Sequence, residues 1–109
     1  MSTAQYRIAF GVIDWESPMP GVRHKIAVVG DTKLRLVEYT AQMAQHWCSV
    51  GHVGLILGGR FEIEFDSGTQ VFEAGDGVMI PSGEAHRHRA RVLSDVVRAV
   101  FVEESQPVL

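Results

Sequence analysis

Cysteine is almost absent from this chain. Cys48 is the single one in 109 residues, so no intrachain disulfide can form and a disulfide-stapled secreted scaffold is excluded. No apolar run approaches the ~18 residues that a membrane span needs. The opening "MSTAQYRIAF" lacks the basic and apolar regions of a signal peptide. The expectation is a cytoplasmic protein without membrane contact. A basic excess is also missing: Lys plus Arg is 10 against 13 for Asp plus Glu, a net charge of −3. General nucleic-acid binders carry the opposite balance, so no nucleic-acid partner is expected. Helical patterning is nearly missing too. The one candidate, "AQMAQ" at 41–45, is too short to stand alone. With no internal repeat, low-complexity run or linker, residues 1–109 read as one domain.

What the chain has instead is strand signal. "HKIAVVG", "KLRLVEY", "HVGLIL", "RFEIEF", "QVFEA", "GVMI" and "DVVRAVFV" are short, rich in Val, Ile, Leu and Phe, and punctuated by Gly, Pro or Asp. That spacing reads as an all-β sandwich or barrel. "RFEIEF" alternates strictly, with Phe61, Ile63 and Phe65 on one face and Glu62 and Glu64 on the other. "HVGLIL" is apolar at both parities, as for a strand covered on both faces. Gly58-Gly59 suits a tight hairpin, Asp66-Ser67-Gly68 a second turn, and Pro81 with Gly83 a third. "DWESPMPGV" at 14–22, with two prolines, reads as a loop or an edge segment.

Two stretches carry chemistry. In "HWCSVGH", 46–52, His46 and Cys48 share a face if the segment is extended. His52 would then lie ~13 Å beyond Cys48, so the chain must bend at Ser49-Val50-Gly51 for it to join them. In "GDGVMIPSGEAHRH", 75–88, His86 and His88 also share a face, leaving Arg87 and Arg89 on the other. Imidazoles with a thiolate suit zinc, iron, nickel or copper and not magnesium or calcium, which prefer oxygen. Each residue also has a plain reading: a small buried thiol, a hydrogen-bonded histidine near a turn. A Cys48–His52 nucleophilic pair lacks a third, orienting group. Outward Arg87, Arg89 and Arg91 read as solvated or paired with Glu62 and Glu64.

At these residues the chain resembles the cupins. Gly75, Pro81, Gly83 and His86 match the spacing of the family's second motif, and His46, Cys48, His52 and Gly59 match the first. The resemblance covers about 33–103. Cys48 stands where the family has a histidine, His52 where it has a glutamate, and Thr40 where a glycine is expected. The resemblance implies a cupin-type double-stranded β-helix (jelly-roll) barrel. It also implies a divalent transition metal held by His46, Cys48, His52 and His86, with zinc or iron ahead of nickel, copper or manganese. His88 becomes a neighbour behind the ligands. The two exchanges are charge-neutral, because a thiolate replaces a carboxylate while three imidazoles remain.

Two functions follow from the resemblance. One is a metal-dependent enzyme, dioxygenase- or isomerase-like, acting on a small polar or acidic molecule. The other is a non-enzymatic small-molecule-binding or sensor barrel with a structural metal. Four protein ligands would close a tetrahedral zinc but leave two positions on octahedral iron or nickel. A homodimer is expected, with the segment from Ile8 to Ile13 adding a strand to a neighbour's sheet edge.

Overall fold

Alternation of apolar and polar side chains over 22–40 forces the first long hairpin. β2 (Val22–Val29) and β3 (Thr32–Thr40) pair antiparallel with an unbroken register from Val22↔Tyr39 to Val29↔Thr32. The computed structural model describes residues 6–104. Seven further strands complete it: β1 (Glu16–Met19), β4 (His52–Gly58), β5 (Arg60–Phe65), β6 (Gly68–Glu73), β7 (Gly77–Ile80), β8 (His88–Val92) and β9 (Val96–Glu104). They form two antiparallel sheets, one in the order β1-β2-β3-β9-β4-β7 and one in the order β6-β5-β8. This is the jelly-roll arrangement expected from the resemblance. No helix among the described residues is long and apolar enough to cross a membrane.

The core lies between the sheets. Val37, Ile56, Val78, Val97 and Ala99 are almost fully enclosed, joined by Phe61, Ile63 and Phe101. Phe61 and Ile63 face inward from β5 as the alternation requires. Glu62 and Glu64 face outward to Arg91 and Arg89 on β8, at 2.8 Å and 2.9 Å, and Arg87 pairs with Asp66 at 3.0 Å. The arginine row is therefore a paired one. Trp47 lies under Arg87 and Arg89, 4.5 Å and 4.7 Å from its ring centre.

Several expectations change. Residues 41–45 form a turn and a bend rather than a helix. Gly58-Gly59 does not close a hairpin, because β4 and β5 belong to different sheets. The pair is a corner where the chain crosses between layers. Gly59 has φ +82°, and a Cβ there would meet Val96 O at 2.0 Å. β4 is not covered on both faces: Val53, Leu55 and Leu57 stand partly exposed on the outer side. The segment from Ile8 to Ile13 contains a 3-10 turn at Phe10–Val12 and no strand. It lies against its own β2, where Lys25 Nζ donates to Phe10 O at 2.7 Å. Residues 14–22 do contain an edge strand, β1, with Pro18 inside it; an edge tolerates the missing N–H.

A candidate metal centre in the barrel cavity

The bend at 49–51 brings the first motif back on itself. Cys48 and His88 exchange backbone hydrogen bonds, N to O at 2.8 Å and 2.9 Å. Gly83 N donates to Ser49 O at 2.9 Å, and Gly51 N to Ser82 Oγ at 2.8 Å. Gly51 is required by close packing, since a Cβ would lie 2.5 Å from Ile80 O. The turn after Pro81 is thus clasped to 49–51, and β4 starts at His52 pointing into the barrel.

The result gathers Cys48, His52 and His88, whose ligand-type atoms all lie within 4.8 Å of one another. Two of the expected residues, Cys48 and His52, are brought together. His88, expected behind the ligands, is in the group itself. His46 and His86 are not in it. His46 is exposed and lines the wall of the same cavity. His86 ends a 3-10 turn, Glu84–His86, and is exposed. The turn delays the strand, so the first inward-facing position of β8 is His88.

His88 is 5% exposed. Its Nδ1 lies 3.1 Å from His86 O, which fixes the proton on that nitrogen. Nε2 is buried without a partner. Burial, outweighing the raising effect of that carbonyl, lowers its pKa, with His52 and His46 acting in the same direction. A neutral imidazole with one nitrogen tied to a backbone carbonyl and the other free is the form that ligates metals. His52 packs on Phe101, ring centres 4.9 Å apart, and meets His88 edge-on at 5.1 Å. Its Nδ1 stands 3.5 Å from Glu103 Oε1, and neither atom reaches hydrogen-bond geometry. The orphaned Nε2, the three convergent donors and the soft N/S donor set all fit a zinc-type ion.

The group lines a cavity of about 420 Å³. The adjoining part of the wall comes from β2 and β3, in the same sheet as His52, and was not singled out from sequence. Lys33, Arg35 and Tyr39 share the inward face of β3 with buried Val37, and all three line the cavity together with His24 and Glu103. Burial opposes ionisation of Glu103. The contacts with His52 and Lys33 and the charge of Arg35 override it and hold the carboxyl down at about 2. Burial, seconded by Arg35, lowers His24, whose Nδ1 accepts from Arg35 Nε at 3.0 Å. Burial pushes the Tyr39 phenol up, so it stays protonated. The period-2 pattern of "KLRLVEY" put these side chains on one face. Only the pairing Lys33↔Glu103 shows which way that face looks.

A family model described as "Cupin domain" matches residues 37–103. No curated protein matches the chain. Among solved structures the chain is similar to KdgF from Halomonas sp., at 20% identity and TM-score 0.77 over 96% of each chain. It is similar to the polyketide cyclase RemF from Streptomyces resistomycificus, at 18% identity and TM-score 0.76 over 94% of this chain and 81% of that one. A third is a sugar phosphate isomerase of the cupin superfamily from Silicibacter pomeroyi, at 13% identity and TM-score 0.72, covering 93% and 76%. At these identities the likeness shows a shared fold. The family match spans more than half of the chain, in the barrel that carries the Cys48–His52–His88 group, and the chain belongs to the cupin family.

Proposed function

We propose that this protein is a metal-dependent enzyme of the isomerase-like kind, acting on a small molecule held in the barrel, with the metal on Cys48, His52 and His88. Ligand count carries the reading. Three protein ligands facing a cavity leave a tetrahedral ion one open position, as in catalytic rather than structural zinc sites. Zinc is favoured over iron because a thiolate beside iron and oxygen is prone to oxidation, which also weighs against a dioxygenase. The isomerase and the cyclase among the fold's relatives support a reaction without oxygen. A bound zinc would supply Lewis-acid polarisation of a ligand oxygen. The chain's own residues supply the rest. The Tyr39 phenol remains a donor, neutral His24, whose Nδ1 accepts from Arg35, offers Nε2–H as a hydrogen-bond donor, and Phe61, Ile63 and Phe101 exclude water. A reducing, cytoplasmic compartment would keep the free thiol of Cys48 in ligand form.

Cobalt substitution of protein purified without a chelating tag tests this. The expected spectrum has a sulfur-to-cobalt charge-transfer band and four-coordinate d–d bands that shift on adding thiocyanate. Bands that ignore thiocyanate would mean a closed site and favour the non-enzymatic barrel with a structural metal. Failure to take up cobalt or zinc would remove both readings.

The homodimer belongs to the same proposal, by a different surface from the N-terminal segment. Met79, Val53 and Val102 form a register-matched row across β7, β4 and β9 on the outer face of the larger sheet, and Met79 is 83% exposed. Leu55 and Leu57 extend it. A contiguous apolar face of this kind marks an interaction surface. Light scattering at micromolar concentration should give twice the chain mass, and Val53→Glu should return it to the monomer.

A further inference from the structure

The stretch of the larger sheet beside His52 holds more positive charge than its own carboxylate needs. Lys33 Nζ lies 3.2 Å from Glu103 Oε2, and Arg35 Nη1 lies 3.6 Å from Glu103 Oε1. One cation is enough to neutralise one buried carboxylate. Here two are drawn in, and both are largely covered: 26% exposed for Lys33 and 16% for Arg35. The neighbouring His24 adds no negative charge, and it uses only the Nε–H of Arg35. The Nη1 contact with Glu103 exceeds hydrogen-bond length, so donors of the guanidinium remain for another acceptor. Other carboxylates do not fill this role. Glu64 is paired with Arg89 on the outer face, and Glu16 is 81% exposed and reaches only as far as His24 Nε2, at 3.9 Å. Lys33 and Arg35 therefore exceed Glu103 by one positive charge, inside a hollow with low-dielectric walls, where its field is strong. Around it the lining is apolar, with Met19, Ile26, Phe61 and Ile63.

We infer that the cavity selects a small organic carboxylate, its anionic group held by Arg35 and Lys33 and its body lying over the apolar lining. A single surplus charge matches a monoanion, and the apolar lining needs an organic body that inorganic phosphate lacks. The inference rests on the reading that the barrel takes a small molecule, but it does not depend on the metal.

Calorimetric titration with matched probes tests it: benzoate against benzamide and hexanoate against hexanamide, on zinc-loaded and zinc-free protein. The carboxylate should bind at least about tenfold tighter than its amide, since a charge-assisted hydrogen bond contributes ~1.5 kcal/mol or more. The preference should persist without zinc. It should fall to near unity in Arg35→Gln, shrink in Lys33→Met, and return in Arg35→Lys. Lys33→Met keeps Arg35 against Glu103 and serves if Arg35→Gln fails to fold. Equal binding of acid and amide overturns the inference, as does no saturable binding of either acid at millimolar concentration. A preference that vanishes with zinc and survives in both variants also overturns it, assigning the carboxylate to the metal and leaving the proposed function standing.

Discussion

Exchanging His88 for alanine, and His86 for alanine in parallel, probes the proposed metal centre most directly. His88 presents a buried, unpartnered Nε2 to Cys48 and His52, whereas the His86 side chain is exposed and contributes to the site only its backbone carbonyl. Structural zinc bound by Cys and His gains about 10–16 kcal/mol from four ligands, so each ligand carries roughly 3–4 kcal/mol. Losing one therefore weakens binding about 10²- to 10³-fold. His86→Ala retains the carbonyl that orients His88 Nδ1, and its affinity should stay within about tenfold of the parent, the lower range for a disturbed outer contact. Competition against a calibrated zinc chelator measures both, with far-UV circular dichroism confirming that each variant is folded. His52→Ala should reproduce the His88→Ala loss. Retention of zinc in His88→Ala together with its loss in His86→Ala would refute the reasoning and move the site to the outer side of the 84–86 turn.

Three further outcomes are expected. Cys48 should resist alkylation in the zinc-loaded protein and react after chelation, because a metal-bound thiolate is a poor nucleophile; equal rates would exclude it as a ligand. Glu38 is buried, which by itself raises its pKa, but Arg98 and Arg23 bind the carboxylate and bring it below its ordinary 4.5. A depressed carboxyl stabilises the fold above its unfolded pKa and stops doing so as pH falls. Glu38→Gln should therefore cost about 1–3 kcal/mol in urea unfolding at neutral pH and progressively less in acid; a constant difference would contradict this. At Gly54 a Cβ would meet Val100 O at 1.9 Å, so Gly54→Ala should part β4 from β9 and lose at least about 1–3 kcal/mol; unchanged thermal stability would refute the contact.

The strands were legible because their cause is local. Period-2 alternation in "RFEIEF" fixes which residues face the core without knowledge of any partner, and Phe61, Ile63, Glu62 and Glu64 all face as it requires. The Gly58-Gly59 corner was not, because glycine permits a hairpin and a crossing between sheets alike. The choice is made by long-range contacts: Arg60 N to Ser94 Oγ at 2.9 Å and Leu93 N to Arg60 O at 2.9 Å. The exposed side of β4 was hidden for a related reason. Val53, Leu55 and Leu57 are as apolar as the core residues, and sequence records hydrophobicity rather than what covers it.

The candidate site shows where spacing stops carrying information. Parity put His86 and His88 on one face of a strand, which assumes that both belong to the strand. Three residues of 3-10 turn at 84–86 rise ~2.0 Å each rather than the ~3.3 Å of a strand, and they rotate side chains by a third of a turn instead of a half. His86 closes that turn, its backbone N–H tied to Gly83 O at 3.0 Å, so its side chain obeys the turn. His88, exchanging both backbone bonds with Cys48, is the first residue that obeys the sheet. The motif glycine at 83, with φ +125°, opens the turn after which the proposed ligand falls. The backbone pairing with Cys48 decides which histidine it is, and that pairing exists only after the chain has bent at 49–51. The same dependence explains why Lys33, Arg35 and Glu103 escaped notice. Seventy residues of sequence separate two side chains that become neighbours across one rung of the β3–β9 ladder, and nothing in either segment alone announces that its charge points inward.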